Sequence, residues 1–169
     1  MADAIVNRVA KSGLLTFDLE ALYPKGQRQT LDISQWLYEG LVLREQAFRA
    51  ALKQEPWENF TNQYVALHCS TEAIIPAWAF LLVSNYLLPY VKMVVVGSLN
   101  DLETQIFNKL LQNIDFSPYN NKAVIIKGCS KKPVPENAYV QAFKYLQPIA
   151  KSVMYGEACS AVPLYKKPR

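Results

Sequence analysis

Tyr64-Val-Ala-Leu-His-Cys-Ser70 holds a short apolar run that breaks into a small polar turn. The same event recurs twice. Met93-Val-Val-Val96 runs into Gly97-Ser98, and Ala123-Val-Ile-Ile126 runs into Lys127-Gly-Cys-Ser130. Continuous apolar runs of this length fit strands covered on both faces of a sheet. Helical stretches are expected over 71–90, 100–113 and 136–154, the last disturbed at Pro148. In the second, Leu102, Ile106, Leu110 and Ile114 recur at every fourth position, so one face is buried. Asn100 with Glu103 three residues later reads as its start. Strand and helix in alternation predict parallel βαβ units with right-handed crossovers.

The first sixty residues are less regular. Leu14-Leu-Thr-Phe-Asp-Leu19 and Gln29-Thr-Leu-Asp-Ile33 read as strands, and Tyr23-Pro-Lys-Gly-Gln-Arg28 between them reads as a turn. Together they predict an antiparallel hairpin. Residues 44–54 carry Ala47, Phe48, Ala51 and Leu52 at helical spacing, and Pro56 ends that segment. No linker divides the chain. The expected architecture is one α/β domain over 1–169: a mixed sheet with parallel βαβ units, helices on both faces, and an N-terminal hairpin or extension. Within it, 1–60 forms the less regular part, 61–154 the βαβαβα part and 155–169 a tail.

Bulk composition narrows the function. A chain of 169 residues fits one domain, and 51% hydrophobic with 19% charged residues is a globular composition. The net charge of +4 is mild and partly terminal, in Lys166, Lys167 and Arg169. A nucleic-acid binder carries a denser basic stripe, so no nucleic-acid partner is expected. The N-terminus lacks a basic start followed by an apolar core, so no signal peptide is expected. The stretch 73–91 approaches the length of a membrane span. Asn85 within it and its polar flanks favour a buried core helix, so no membrane is expected and the compartment is read as cytoplasmic.

Each of the three cysteines precedes a serine: Cys69-Ser70, Cys129-Ser130 and Cys159-Ser160. In the cytosol, thiols are more often free, metal-bound or catalytic than paired. The first two follow strands, at the sheet edge where open α/β folds bind ligands. If the tail returns Cys159 to that edge, three thiolates would suit zinc or an iron–sulfur cluster. His68, the sole histidine, is a weaker candidate for the fourth position, because adjacent strand residues point to opposite faces. Close C-x-x-C pairs are absent, so the fold would have to assemble the site. A second reading is a sulfur carrier or transferase using Cys129 or Cys69, each near a helix N-terminus that lowers thiol pKa. A third is an interaction protein whose cysteines pack as small hydrophobes. The loop 127–136 lacks the spacing of a phosphate-binding P-loop.

Several longer segments carry a resemblance. They are Ile5-Val-Asn-Arg-Val-Ala-Lys-Ser-Gly13 with Thr16-Phe-Asp-Leu19, Ala73-Ile-Ile-Pro-Ala-Trp78, Lys127-Gly-Cys-Ser-Lys-Lys-Pro-Val-Pro135, and Ala150-Lys-Ser-Val-Met-Tyr-Gly-Glu-Ala-Cys-Ser160 with Val162-Pro-Leu-Tyr165. Over nearly its whole length the chain resembles a small bacterial family, domain of unknown function 2480. The resemblance brings no activity and no functional residue. What the resemblance implies is a gene that, as is often so in the family, lies beside iron–sulfur assembly genes of the sulfur-mobilisation type. That implies a cytosolic role in handling clusters or sulfur, with iron–sulfur assembly proteins as partners. A homodimer stays open.

Overall fold

The computed structural model describes residues 13–128, 130–157 and 159–168. The chain is α/β. Its strands are β1 (Leu14–Phe17), β2 (Arg28–Asp32), β3 (Tyr64–His68), β4 (Met93–Val96), β5 (Ala123–Lys127), β6 (Ser152–Glu157) and β7 (Ser160–Lys166). Its helices are α1 (Glu45–Leu52), α2 (Ala77–Leu87), α3 (Leu99–Gln112) and α4 (Glu136–Leu146). They form two sheets. One is wholly parallel, in the order β2-β3-β4; the other runs β1-β5-β6-β7, parallel except for the antiparallel β6–β7 pair.

Three expectations need correction. The N-terminal strands do not form a hairpin: β1 pairs with β5 and β2 with β3, each in parallel. Both strands bury an apolar residue, Phe17 and Leu31, in different cores, and each joins the sheet that covers its own core. Second, the helix expected over 136–154 stops at Leu146, and 152–157 is strand. Pro148 breaks the helix because it lacks an N–H and restricts the residue before it. Third, the segment expected as a tail from 155 continues β6 and returns as β7.

By packing, the chain divides into two compact units. One holds the residues up to Tyr23 together with those from Phe107 onward, and contains the four-stranded sheet. Its core joins Phe17, Val124, Ile126 and Val153 to Ala138, Ala142 and Leu146 of α4. The other, Pro24–Ile106, contains the three-stranded sheet. There Leu31, Val65 and Leu67 pack on Phe48 and Leu52 of α1 and on Ala79, Val83 and Leu87 of α2.

The two units repeat one design. A shift of 59 residues carries β3, α2 and β4 onto β5, α4 and β6. Both helices have 11 residues and follow a proline, Pro76 or Pro135. Ala79, Val83 and Leu87 correspond to Ala138, Ala142 and Leu146, Pro89 to Pro148, Lys92 to Lys151, and Gly97 to Gly156. In each unit a third strand precedes these, β2 or β1, with Thr30-Leu-Asp-Ile33 matching Thr16-Phe-Asp-Leu19. Each strand leads into an aspartate that accepts the backbone N–H two residues on: Asp32 from Ser34 at 2.9 Å, Asp18 from Glu20 at 2.9 Å.

Candidate functional site

Pleating decides what the three-stranded sheet offers. Val65 and Leu67 of β3 face the core, so Tyr64, Ala66 and His68 face the other side. On β2, Leu31 faces the core and Arg28, Thr30 and Asp32 the other side by the same alternation. This second face mixes Arg28, Thr30, Asp32 and His68 with the fully buried Ala66, and α3 reaches it through Glu103. The Arg28 guanidinium donates from Nε to Glu103 Oε1 at 2.7 Å and lies 4.7 Å from the centre of the Tyr64 ring. The pair is largely buried, and burial of both charges is tolerated because each satisfies the other.

At the carboxyl edge of this face lies a cavity of about 490 Å³, lined by Thr30, His68, Gly97, Ser98, Leu99 and Asn100. Its size falls in the range of small-molecule pockets, and its position is where parallel sheets bind ligands. Its floor is the turn from β4 into α3. Ser98 donates to Asp101 Oδ2 from both its amide and its hydroxyl, each at 2.7 Å, and Asp101 N–H returns a bond to Ser98 Oγ at 3.2 Å. These bonds satisfy two of the donors that every helix start leaves open. The side-chain bond first, then the backbone bond, hold the Asp101 carboxyl below the usual range. The amides of Leu99 and Asn100, between Ser98 and Asp101, have no acceptor among the described residues.

His68 ends β3, half-buried, and its imidazole has no hydrogen-bond partner among the described residues. Asp32 is its register partner on β2. The Asp32 carboxylate accepts N–H bonds from Ser34 at 2.9 Å and Ser70 at 3.0 Å. Burial pushes this carboxyl up, but the hydrogen bonds from Ser70 and Ser34 outweigh it and hold it well below the usual range. The two serine hydroxyls meet at 3.2 Å. Asp32 therefore stays ionised and ties the loop after β3 to the loop after β2.

The other unit answers the same positions differently. Lys127 stands where His68 does and Asp18 where Asp32 does, and the two close into an ion pair at 2.8 Å. After Gly156 the chain turns into β7 and not into a helix. Thus a histidine without a partner and an open helix start come together in one unit only, among the described residues.

The predicted site residues are dispersed. Cys69 lies just past β3, half-buried against the core of its own unit, with Sγ 3.4 Å from the Thr71 hydroxyl. Cys159 is exposed at the turn between β6 and β7, in the other unit. Cys129 lies outside the described residues. No group of three or more His, Cys, Asp or Glu able to hold a metal ion occurs among the described residues. The three-cysteine zinc or iron–sulfur function is therefore corrected. It assumed that all the post-strand loops share one sheet edge, whereas the loop after β3 belongs to one sheet and the loop after β5 to another. Thr30, Ser98, Leu99 and Asn100 are not legible as site residues in the sequence, because none carries by itself the chemistry of an activated nucleophile, an acid, a base or a soft metal ligand. The 59-residue repeat was the signal that could have found them, since it isolates Gly97-Ser98 as the turn that differs between the copies.

The chain belongs to the family described as protein of unknown function, DUF2480, whose model matches residues 3–167, almost the whole chain. No curated protein and no solved structure matches it. No helix among the described residues is long and apolar enough to cross a membrane.

Proposed function

We propose that this member of the family binds a small molecule bearing a phosphate or carboxylate group, in the cavity at the carboxyl edge of β2-β3-β4. One observation carries the reading: the half-buried His68 imidazole and the open amides of Leu99 and Asn100 line the same cavity. Amides at the start of a helix bind anions, because they are unsatisfied donors at the positive end of the helix dipole. His68 would add a third donor, and Thr30 and Asn100 side chains would hydrogen-bond the rest of the ligand. Asp101 already occupies the other donors of the turn, which limits the site to one anionic group.

The single histidine makes a direct test, because one pair of imidazole resonances reports the site. Titration with inorganic phosphate, and separately with acetate, is expected to move those resonances and the Leu99 and Asn100 amides together, to saturation. The stronger of the two probes identifies the group. Leu99→Pro removes one open N–H at a position where a helix accepts proline, and is expected to weaken binding about tenfold, the worth of one charge-assisted hydrogen bond. Resonances that stay still with both probes would overturn the proposal. The cytoplasmic compartment and the association with iron–sulfur assembly proteins also stand as proposals, tested by fractionation and by co-purification from the native host.

A further inference from the structure

The two units differ sharply in charge. Pro24–Ile106 has six basic and eight acidic residues, and the remainder twelve basic and six acidic. Four of those twelve basic residues, Lys122, Lys151, Lys166 and Lys167, lie at one place in the four-stranded sheet. At the amino edge of β5 and β6, Lys151 N–H donates to Lys122 O at 2.8 Å, and Lys167 N–H donates to Lys151 O at 2.9 Å. Three neighbouring backbone segments each present a lysine, and Lys166 follows at the end of β7, opposite Ser152. All four are exposed, and none has an ion-pair partner among the described residues.

The repeat supplies an internal comparison. Lys92 is the counterpart of Lys151 and makes the equivalent backbone bond, to Gln63 O at 2.8 Å. There the side chain is occupied: Lys92 Nζ donates to Lys25 O at 3.0 Å and lies 5.5 Å from the Tyr64 ring. The neighbour that is Gln63 in that unit is Lys122 in this one. Among the described residues, the acidic side chains of this unit are engaged or sited elsewhere. Asp18 pairs with Lys127, Glu20 accepts from the Lys131 amide, and Asp115 accepts from Ser117. Glu136 starts α4 and Glu157 ends β6, both at the carboxyl edge. Like charges held side by side on adjacent strands cost stability. A row of them with no paired carboxylate among the described residues fits a surface that is neutralised by a partner.

We infer that the row Lys122, Lys151, Lys166 and Lys167 is a docking surface for an acidic helix of a partner protein. The spacing supports that class. Adjacent strands repeat at about 4.8 Å, and carboxylates four residues apart on a helix repeat at about 5–6 Å. Lysines act as point charges, without the bidentate fork that favours phosphate groups.

The test uses the full chain and a synthetic alanine-based helical peptide with glutamate at every fourth position. Amide resonances of Lys122, Lys151, Lys166 and Lys167 are expected to shift on titration, and the affinity to fall as salt is raised. A Lys122→Glu/Lys151→Glu/Lys167→Glu variant is expected to bind the peptide about tenfold or more weakly, given the modest worth of each exposed pair. Far-UV circular dichroism checks its fold, and the Gln triple variant replaces it if the fold is lost. Shifts confined to other residues would overturn the inference. So would a random-sequence DNA duplex binding the row more tightly than the peptide, which would make it a nucleic-acid surface.

Discussion

Gly97 sits at a turn that has no room for a side chain. Its φ is +140°, and a Cβ there would lie 2.6 Å from Asp101 Oδ2, the oxygen that caps α3. Gly97→Ala must therefore strain the backbone and push the cap away. A loss of about 1–3 kcal/mol in urea denaturation is expected. Asp32 sets a pH dependence. Its folded carboxyl titrates below the ordinary value of 3.8, so its contribution is present above that value and is lost as pH falls below it. Asp32→Asn is expected to be less stable than the native chain at neutral pH and to lose less stability on acidification, measured as denaturation midpoints from pH 7 to pH 3. The Arg28–Glu103 pair behaves differently, because both groups are largely buried. Glu103→Gln is expected to cost about 3 kcal/mol by leaving a buried guanidinium without its counter-charge. An Arg28→Met/Glu103→Leu double variant is expected to cost less than either single change, and a double-mutant cycle by urea denaturation measures the difference.

Among the elements, α2 and α4 carry the clearest energetic equivalence. Each follows a proline in extended conformation, and each buries its last leucine completely, Leu87 or Leu146. Leu87→Ala and Leu146→Ala are each expected to cost about 2–5 kcal/mol, the range for a buried leucine whose cavity does not collapse. Far-UV circular dichroism reads both losses. Element types along the chain follow from local chemistry, which is why β3, β4, β5, α1 and α3 lie close to where periodicity puts them. The helix expected over 71–90 shortens to Ala77–Leu87, because Pro76 fixes its start and Pro89 forbids its continuation. The tail was harder to read. Ser152–Glu157 alternates weakly, and its strand character comes from Val153, which is buried only because α4 and β5 stand beside it.

For the molecule as a whole, the repeat separates structure from function. Both units share the strand–strand–helix–strand frame, and only Pro24–Ile106 follows it with a helix at the carboxyl edge. All three tryptophans, Trp36, Trp57 and Trp78, lie in that unit, so intrinsic fluorescence follows its unfolding. Phosphate at a hundred times its Kd is expected to raise that unit's stability by about 2.7 kcal/mol by mass action, and that of Leu99→Pro, with a Kd about tenfold higher, by about 1.4 kcal/mol at the same concentration. By itself the sequence determined the α/β class, the strands β3, β4 and β5 and the bounds of α1 and α3, because these rest on residue periodicity acting within a few positions. It also named His68. Only the tertiary structure decided that β1 and β2 part company into two sheets, that Cys69 and Cys159 belong to different units, and that His68 meets the start of α3. Strand partners are chosen by which buried faces fit together across 36 to 109 residues of chain, and no local pattern encodes that choice.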